Sequence, residues 1–373
     1  MSNALTGHEV VRIFEKWSPP SLAVEGDRIG LMVGSLDNQV NRIVTALDVT
    51  EAVLDEAIEH QANFILAHHP LLFRPLKTID LQTPHGRIIH KALSHGITIY
   101  AAHTNLDIAC GGVNDMLAEA LSLTNVTVLA ETYAEDLKKL VVYVPRTHVD
   151  ILRGALGEAG AGHLGSYSHC SFNSEGIGSF RPLKGSNPYI GESGVQEFVE
   201  ETKIETIVRA SQLSNVVSAM TKAHPYEEVA YDVYPLEQKG ESYGLGRIGE
   251  LSSQVTLSEL AELVKKAYDV PTLRLIGNPN KIVKRVAVLG GDGNKYVQTA
   301  MKKGADVFIT GDIYYHTAVD AIEDGFSLLD PGHNIEKIMK KGVAKKLSHL
   351  LTEAGYTIET ISSQINTDPY QYV

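Results

Sequence analysis

The apolar residues of this chain change period along its length. Residues 7–17 carry Val10, Val11 and Phe14 at helical spacing, whereas residues 42–47 read Arg-Ile-Val-Thr-Ala-Leu, a short β-branched run of the strand type. A helix over 50–60 leads into Asn63-Phe-Ile-Leu-Ala, an apolar run that reads as a buried strand. The next helix, over 85–95, closes at Gly96, and residues 97–101 form another apolar strand. Connections this short imply parallel pairing through right-handed crossovers, so the pattern predicts an α/β fold.

The same pattern then returns. Residues 285–289 repeat the strand at Arg42, and residues 299–310 overlay 56–67 at one constant offset without a gap. Residues 316–325 mirror the helix ending at Gly96, residues 326–329 mirror the strand after it, and Glu336 then falls on Asp107. An internal duplication of this kind places equivalent strand ends around one cleft, where the two carboxylates would meet. Between the halves lies a different pattern: strands over 137–144, 167–173, 178–182, 204–210 and 229–236, with helices over 149–158 and 213–223. It predicts an inserted ferredoxin-like α+β domain. The expected segments are 1–130 for the first core lobe, 131–241 for the insert and 242–373 for the second lobe.

Composition narrows the function. At 373 residues and 43% hydrophobic, the chain is long enough for two domains. A formal charge of −12 argues against general nucleic-acid binding, which needs a basic face. Two cysteines are too few for a disulfide framework and fit a reducing compartment; Cys110 is expected as a small buried residue. The opening residues lack an apolar leader core, and no run of about 18 apolar residues occurs, so a cytoplasmic protein with no membrane contact is expected.

The candidate chemistry sits at strand ends. Pro70 cannot donate to a sheet ladder, which leaves His68 and His69 at the carboxyl end of their strand, the usual place for ligands in open α/β sheets. Adjacent side chains there diverge, so two metal-binding imidazoles would serve two ions; the plain alternative is a pair bonded to backbone. The strand over 97–101 runs into His103-Thr-Asn-Leu-Asp107. In Asp330-Pro-Gly-His-Asn-Ile-Glu336, a turn precedes a helix and puts His333 and Glu336 at i, i+3, although Glu336 alone would read as a first-turn glutamate helped by the helix dipole. A mixture of imidazole and carboxylate suits zinc, iron or manganese better than calcium or magnesium. His103 is read as a proton-transfer or substrate-contact residue, or as a partner orienting a ligand. The loop Gly290-Gly-Asp-Gly293 reads as a tight turn or as an anion-binding loop.

Taken together, His68-His-Pro after an apolar strand, Ala102-His-Thr-Asn-Leu-Asp107, Thr310-Gly-Asp312 and Gly332-His-x-x-Glu336 resemble the NIF3 family, also described as GTP cyclohydrolase 1 type 2 homologs. The resemblance implies a dinuclear metal centre in a core of two related α/β lobes, and a ring-shaped homohexamer. Its implied ligands are His68, His69, Asp107, His333 and Glu336, holding two divalent ions per chain, zinc first, with iron or manganese as alternatives. The insert resembles the CutA or PII-like domain of longer members through His224-Pro-Tyr-Glu-Glu228, where His224 otherwise merely ends a helix. Two departures stand out: Gly26-Asp27-Arg28 replaces the Trp-Asp-Asn common in the family, and Glu336 follows His333 by three residues rather than four. The implied activity is metal-dependent hydrolysis of a small nucleotide-like substrate such as GTP, by a bridging water between two ions. The alternative is a metal-binding regulatory or scaffold protein whose insert senses a ligand or partner.

Overall fold

The computed structural model describes residues 4–371, so the outermost residues of segments 1–130 and 242–373 lie outside the described range. It divides into two units, residues 1–132 with 243–373, and residues 133–242.

In the first unit the apolar runs form two mixed sheets. Arg42–Ala46, Phe64–Ala67 and Thr98–Ala101 pair in parallel, as do Ile282–Asp292, Val307–Gly311 and Ser327–Asp330. Their registers correspond. Ile43 faces Phe64 and Phe64 faces Thr98 in one sheet; Val286 faces Val307 and Val307 faces Ser327 in the other. These are the pairs that the sequence repeat superimposes.

The faces correspond as well. A parallel sheet covered on both sides needs apolar residues at successive positions, which is why these strands read as runs rather than alternations. Ile43, Phe64 and Leu66 enter a shared core with Val286, Val307 and Ile309, closed by Phe14, Met339, Val343 and Leu347. Val44 and Ile65 face outward onto Val53, Leu54, Ile88 and Ile89. Ala287 and Phe308, their counterparts, face outward onto Val297, Ala300 and Ala321. The helix Ile338–Glu353 is tied to the first sheet by Thr45, whose hydroxyl donates to the Lys340 carbonyl at 2.6 Å.

The flanking strands were not visible in the apolar pattern. Gly30–Val33 closes one edge of the first sheet antiparallel, Glu359–Ser362 adds in parallel at the other, and Arg274–Ile276 borders the second sheet. Each is short and half-exposed, so it carries little periodic signal. Among the described residues, no helix is long and apolar enough to cross a membrane.

The second unit has its own core of Leu140, Val142, Val144, Leu152, Leu156, Ile204, Val208, Val216 and Met220. Its helices, Val149–Glu158 and Leu213–Ala223, have the expected bounds. The expected break between strands at 173 and 178 is absent: Ser171–Phe180 is one strand, paired antiparallel with Glu197–Arg209, which in turn pairs with residues 137–145. Gly178 marks a close approach instead of a turn, since a Cβ there would stand 2.0 Å from a Glu201 carboxylate oxygen. His224 does end its helix, with Nε2 donating to the Tyr143 carbonyl at 2.9 Å and Nδ1 accepting the Tyr226 amide at 3.1 Å.

Cys110 is exposed rather than buried. It lies in the turn before Val113–Ala120, where the backbone must bend and its carbonyl accepts the Trp17 indole N–H at 2.8 Å.

Arg247 is the most committed buried charge of the first unit. At 3% exposure it meets both Asp115 oxygens, at 2.6 and 2.7 Å, and donates to the carbonyls of Gly244 and Gly246. Arg247→Ala should therefore cost about 3 kcal/mol, since it strands these acceptors, and should lower the urea midpoint of the first unit.

Candidate metal centre

The site is built where parallel strands of both sheets end. His68 and His69 directly follow Phe64–Ala67; their amides extend the ladder to Ala46 and Leu47 (3.0 and 2.8 Å), and Pro70 stops it. His103 and Asp107 lie at the start and on the first turn of Thr104–Ile108, just beyond Thr98–Ala101. His333 and Glu336 lie on the 3₁₀ helix His333–Lys337, after Ser327–Asp330. Three residues per turn stack i on i+3, so the three-residue spacing brings the His333 Nε2 to 3.2 Å from Glu336.

All of the residues expected from the sequence converge here. One oxygen of Glu336, Oε2, lies 2.9 Å from the His69 Nε2, 3.2 Å from the His333 Nε2 and 3.8 Å from the His68 Nε2. The His68 Nε2 faces Asp107 Oδ1 at 3.5 Å. His103 packs its ring 5.2 Å from His68 and 5.8 Å from His69, centroid to centroid. Donor atoms gather in three overlapping groups: His68 with Asp107 and Glu336, His69 with His333 and Glu336, and His68 with His69 and His103. His316 is not among them; it is exposed and rests on Tyr315.

Each imidazole is held from behind. Nδ1 of His68 bonds the Ala102 carbonyl at 2.9 Å, that of His69 bonds Asp48 at 2.7 Å, that of His103 bonds Asp27 at 2.8 Å and that of His333 bonds Asp312 at 2.6 Å. An acceptor on Nδ1 fixes that nitrogen as the N–H and turns a lone pair on Nε2 toward the centre, as metal-binding histidines require. Asp312 takes a left-handed backbone (φ 57°) to do so.

The donor set fits metal ions. His68 Nε2 and Asp107 Oδ1 are buried without a hydrogen-bond partner among the described residues. Leaving both orphaned would cost about 1–3 kcal/mol each. Two ligand atoms on one tetrahedral zinc stand about 3.4 Å apart, close to the separations of His68 from Asp107 and of His333 from Glu336.

Charge follows the same plan. Burial would raise the Glu336 pKa, but hydrogen bonds from the surrounding imidazoles hold the carboxyl well below the usual range. Burial pushes Asp107 up to about 6, against the pull of His68. Burial alone would lower His69, but its bonds to Asp48 and Glu336 raise it to about 10. The bond to Glu336 chiefly raises His333 to about 9.

In Gly290-Gly-Asp-Gly293 the first three residues end the strand Ile282–Asp292, with an irregular register after Val288, and the backbone passes close to the centre. A Cβ at Gly290 or Gly291 would come within 2.9 or 2.8 Å of the Glu336 side chain, so the missing side chains make room for the central carboxylate. Beside His69 and His333 opens a cavity of about 290 Å³, walled by Asp48, Asp312, Asn334 and residues 367–370.

The Duf34/NIF3 (NGG1p interacting factor 3) family matches residues 5–369. The chain belongs to this family. A Halalkalibacterium halodurans protein named GTP cyclohydrolase 1 type 2 homolog is 58% identical over 98% of this chain and 99% of its own length. A Bacillus subtilis protein of the same name is 51% identical over the whole of both chains. Among solved structures, a Bacillus cereus protein related to NIF3 superposes with a TM-score of 0.94 at 53% identity, and a Staphylococcus aureus protein with 0.80 at 34%, each over the full length of both chains.

Sequence reasoning missed the residues behind the ligands. Asp27 occupies the loop where the Trp-Asp-Asn of other NIF3 members is replaced, and its carboxylate both holds His103 and accepts the Thr104 amide at 3.0 Å. Asp48 follows the Arg42–Ala46 strand and Asp312 follows Val307–Gly311, so a search of every strand end for carboxylates would have found both.

Two outcomes follow from this geometry. Asp48→Ala and Asp312→Ala should each lower zinc affinity about 10- to 100-fold in a chelator competition, with an unchanged circular dichroism spectrum. Because His69 and His333 are cationic near neutral pH in the metal-free protein, zinc must displace their protons. Apparent affinity should therefore rise with pH from about 6.5 to 9, and loading in weak buffer should acidify the solution.

Proposed function

We propose that this NIF3 protein is a dinuclear metal-dependent hydrolase acting on a small nucleotide-like substrate. The observation that carries the reading is a single buried carboxylate, Glu336, shared by two donor groups that draw their other members from different strand ends. His68, Asp107 and Glu336 would hold one divalent ion and His69, His333 and Glu336 the other, with zinc first and iron or manganese as alternatives. Two such ions acidify a shared water and polarise the group it attacks.

The chain's own residues do the rest. Asp48, Asp312 and the Ala102 carbonyl keep the imidazoles aimed, and the cavity beside His69 and His333 admits the substrate. His103, steadied by Asp27, carries a proton at its Nε2 or contacts the substrate there. The names of the relatives favour GTP as the first substrate to try.

The matching registers and faces of the two sheets support a duplicated pair of lobes. The strand-helix-strand-strand-helix-strand order of the inserted unit supports a ferredoxin-like, CutA/PII-like module. A homohexamer in the cytoplasm completes the reading. Light scattering at micromolar concentration should return six chains, and a monomer mass would rule the ring out.

One observation favours the regulatory alternative, a cavity of about 720 Å³ within the inserted unit, walled by Phe180, Tyr189, Tyr226 and Glu201. That size suits a small-molecule ligand. Elemental analysis should find two ions per chain, and metal-loaded protein should turn over GTP, an activity lost in Asp107→Ala. Loaded protein inert toward GTP and other nucleotides would leave the regulatory reading.

A further inference from the structure

The cavity beside the histidines has a neighbour. Residues 363–370 follow the last strand of the first sheet as a strap held at several points: Glu56 accepts from the Ser363 hydroxyl and from the Gln364 amide at 2.6 Å, Lys340 donates to the Ile365 carbonyl at 3.0 Å, and Thr367 donates to Asp48. On the far side of this strap lies a second cleft, of about 510 Å³. Asn334, Asp368 and Tyr370 line both, so the two spaces share a wall and adjoin.

The second cleft is cationic in a chain whose net charge is −12. Lys337, the N-cap of the helix Ile338–Glu353, lines it together with Lys340 and Lys341 of that helix's first turn, at i, i+3 and i+4. Their charges are poorly offset. Lys337 reaches the Asp269 carbonyl at 2.5 Å and its carboxylate at 3.7 Å, but that carboxylate is almost fully exposed and so contributes little. Lys340 bonds a carbonyl, and Lys341 forms no hydrogen bond or ion pair among the described residues. Asp368, the other acid of the cleft, accepts the Tyr370 amide at 3.0 Å. Burial, and then repulsion from Lys337 and Lys341, hold the Lys340 ammonium below its ordinary value against the pull of Glu56.

The helical rise places Lys341 about 8 Å along the chain axis from Glu336, less than the length of a nucleotide. We infer that the Lys337, Lys340 and Lys341 cleft is an anion subsite that takes the phosphate tail of a phosphorylated small molecule whose reactive ring lies at the His and Glu cluster. An ammonium group carries three N–H donors, so Lys337 and Lys340, each bonded to one carbonyl, still have donors to offer phosphate oxygens alongside Lys341, and the adjoining cavity gives the rest of the molecule its place. The assignment of that tail to a substrate rests on the hydrolase reading; the anion site itself does not.

The experiment separates the two. Chelator-treated, metal-free protein is titrated calorimetrically with inorganic triphosphate, for the wild type and for Lys337→Gln/Lys341→Gln, with Lys340 spared because it anchors the strap. The wild type should bind, more weakly as salt rises. The double variant should bind about tenfold more weakly or worse, with unchanged zinc affinity and circular dichroism. In metal-loaded protein the same variant should raise KM for GTP while leaving kcat, because the tail binds ground state and transition state alike. Guanosine, lacking the tail, should not distinguish variant from wild type. Absence of triphosphate binding at millimolar concentration, or equal binding by the double variant, overturns the subsite. Triphosphate binding that depends on the lysines, in a metal-loaded protein inert toward GTP and other nucleotides, upholds the subsite and removes the hydrolase.

Discussion

The structure of the centre depends on one buried carboxylate. Glu336 is 3% exposed, and a lone carboxylate at that depth would cost several kcal/mol. Three imidazole nitrogens around a single oxygen make the burial tolerable, and they do so only if each ring points the right way. Hence the outer ring of acceptors: Asp48 behind His69, Asp312 behind His333 and the Ala102 carbonyl behind His68. Gly290 and Gly291 complete the arrangement by absence, since side chains at either position would occupy the space of the carboxylate. His68 and Asp107 still face each other with unsatisfied atoms, which an ion-pair network complete in itself would not leave and which a metal ion could satisfy.

Parallel pairing explains why so many chain segments can reach this point. Strands that run the same way end on the same side, so the residue after each strand is a candidate member of one cluster. Consecutive ends deliver Asp48, then His68 and His69, then His103 and Asp107 from the first sheet, and Asp312, then His333 and Glu336 from the second. The 3₁₀ turn at His333–Lys337 is the local adjustment that brings two of these onto one face.

What the sequence made legible follows the same logic. His68 and His69 stood out because an apolar run and Pro70 located a strand end, and Glu336 stood out because the repeat laid it over Asp107. Asp48 and Asp27 did not, because an aspartate after a strand or in a loop looks like a turn residue until the ring it supports is seen. The Gly-rich stretch around Gly176 and Gly178 read as a turn for want of the Glu201 side chain that passes close to Gly178. The strap at 363–370 was invisible because its hydrogen bonds reach residues some three hundred positions away.

The repeat copies the frame of the site but not its ligands. Each strand pair has its own offset: that of the later strands sets Asp107 against Glu336, a carboxylate against a carboxylate, whereas that of the earlier strands sets His68 against Gly311 and His69 against Asp312. Neither replacement is idle. A side chain at Gly311 would meet the backbone of Gly332 and His333, and Asp312 has become the support of His333, the imidazole that the second sheet contributes from a different strand end. Equivalent backbone positions have thus divided the work, with imidazoles that face the centre on one side and the support of such an imidazole on the other. The two donor groups differ in kind as a result: one pairs His68 with two carboxylates and is closed to solvent, while the other joins His69 and His333 to Glu336 beside the open cavity. On the proposed reading, a substrate entering there would meet the second group first, so His69 and His333 would hold the ion that supplies the polarising charge, while His68 and Asp107 would steady the carboxylate that the two groups share.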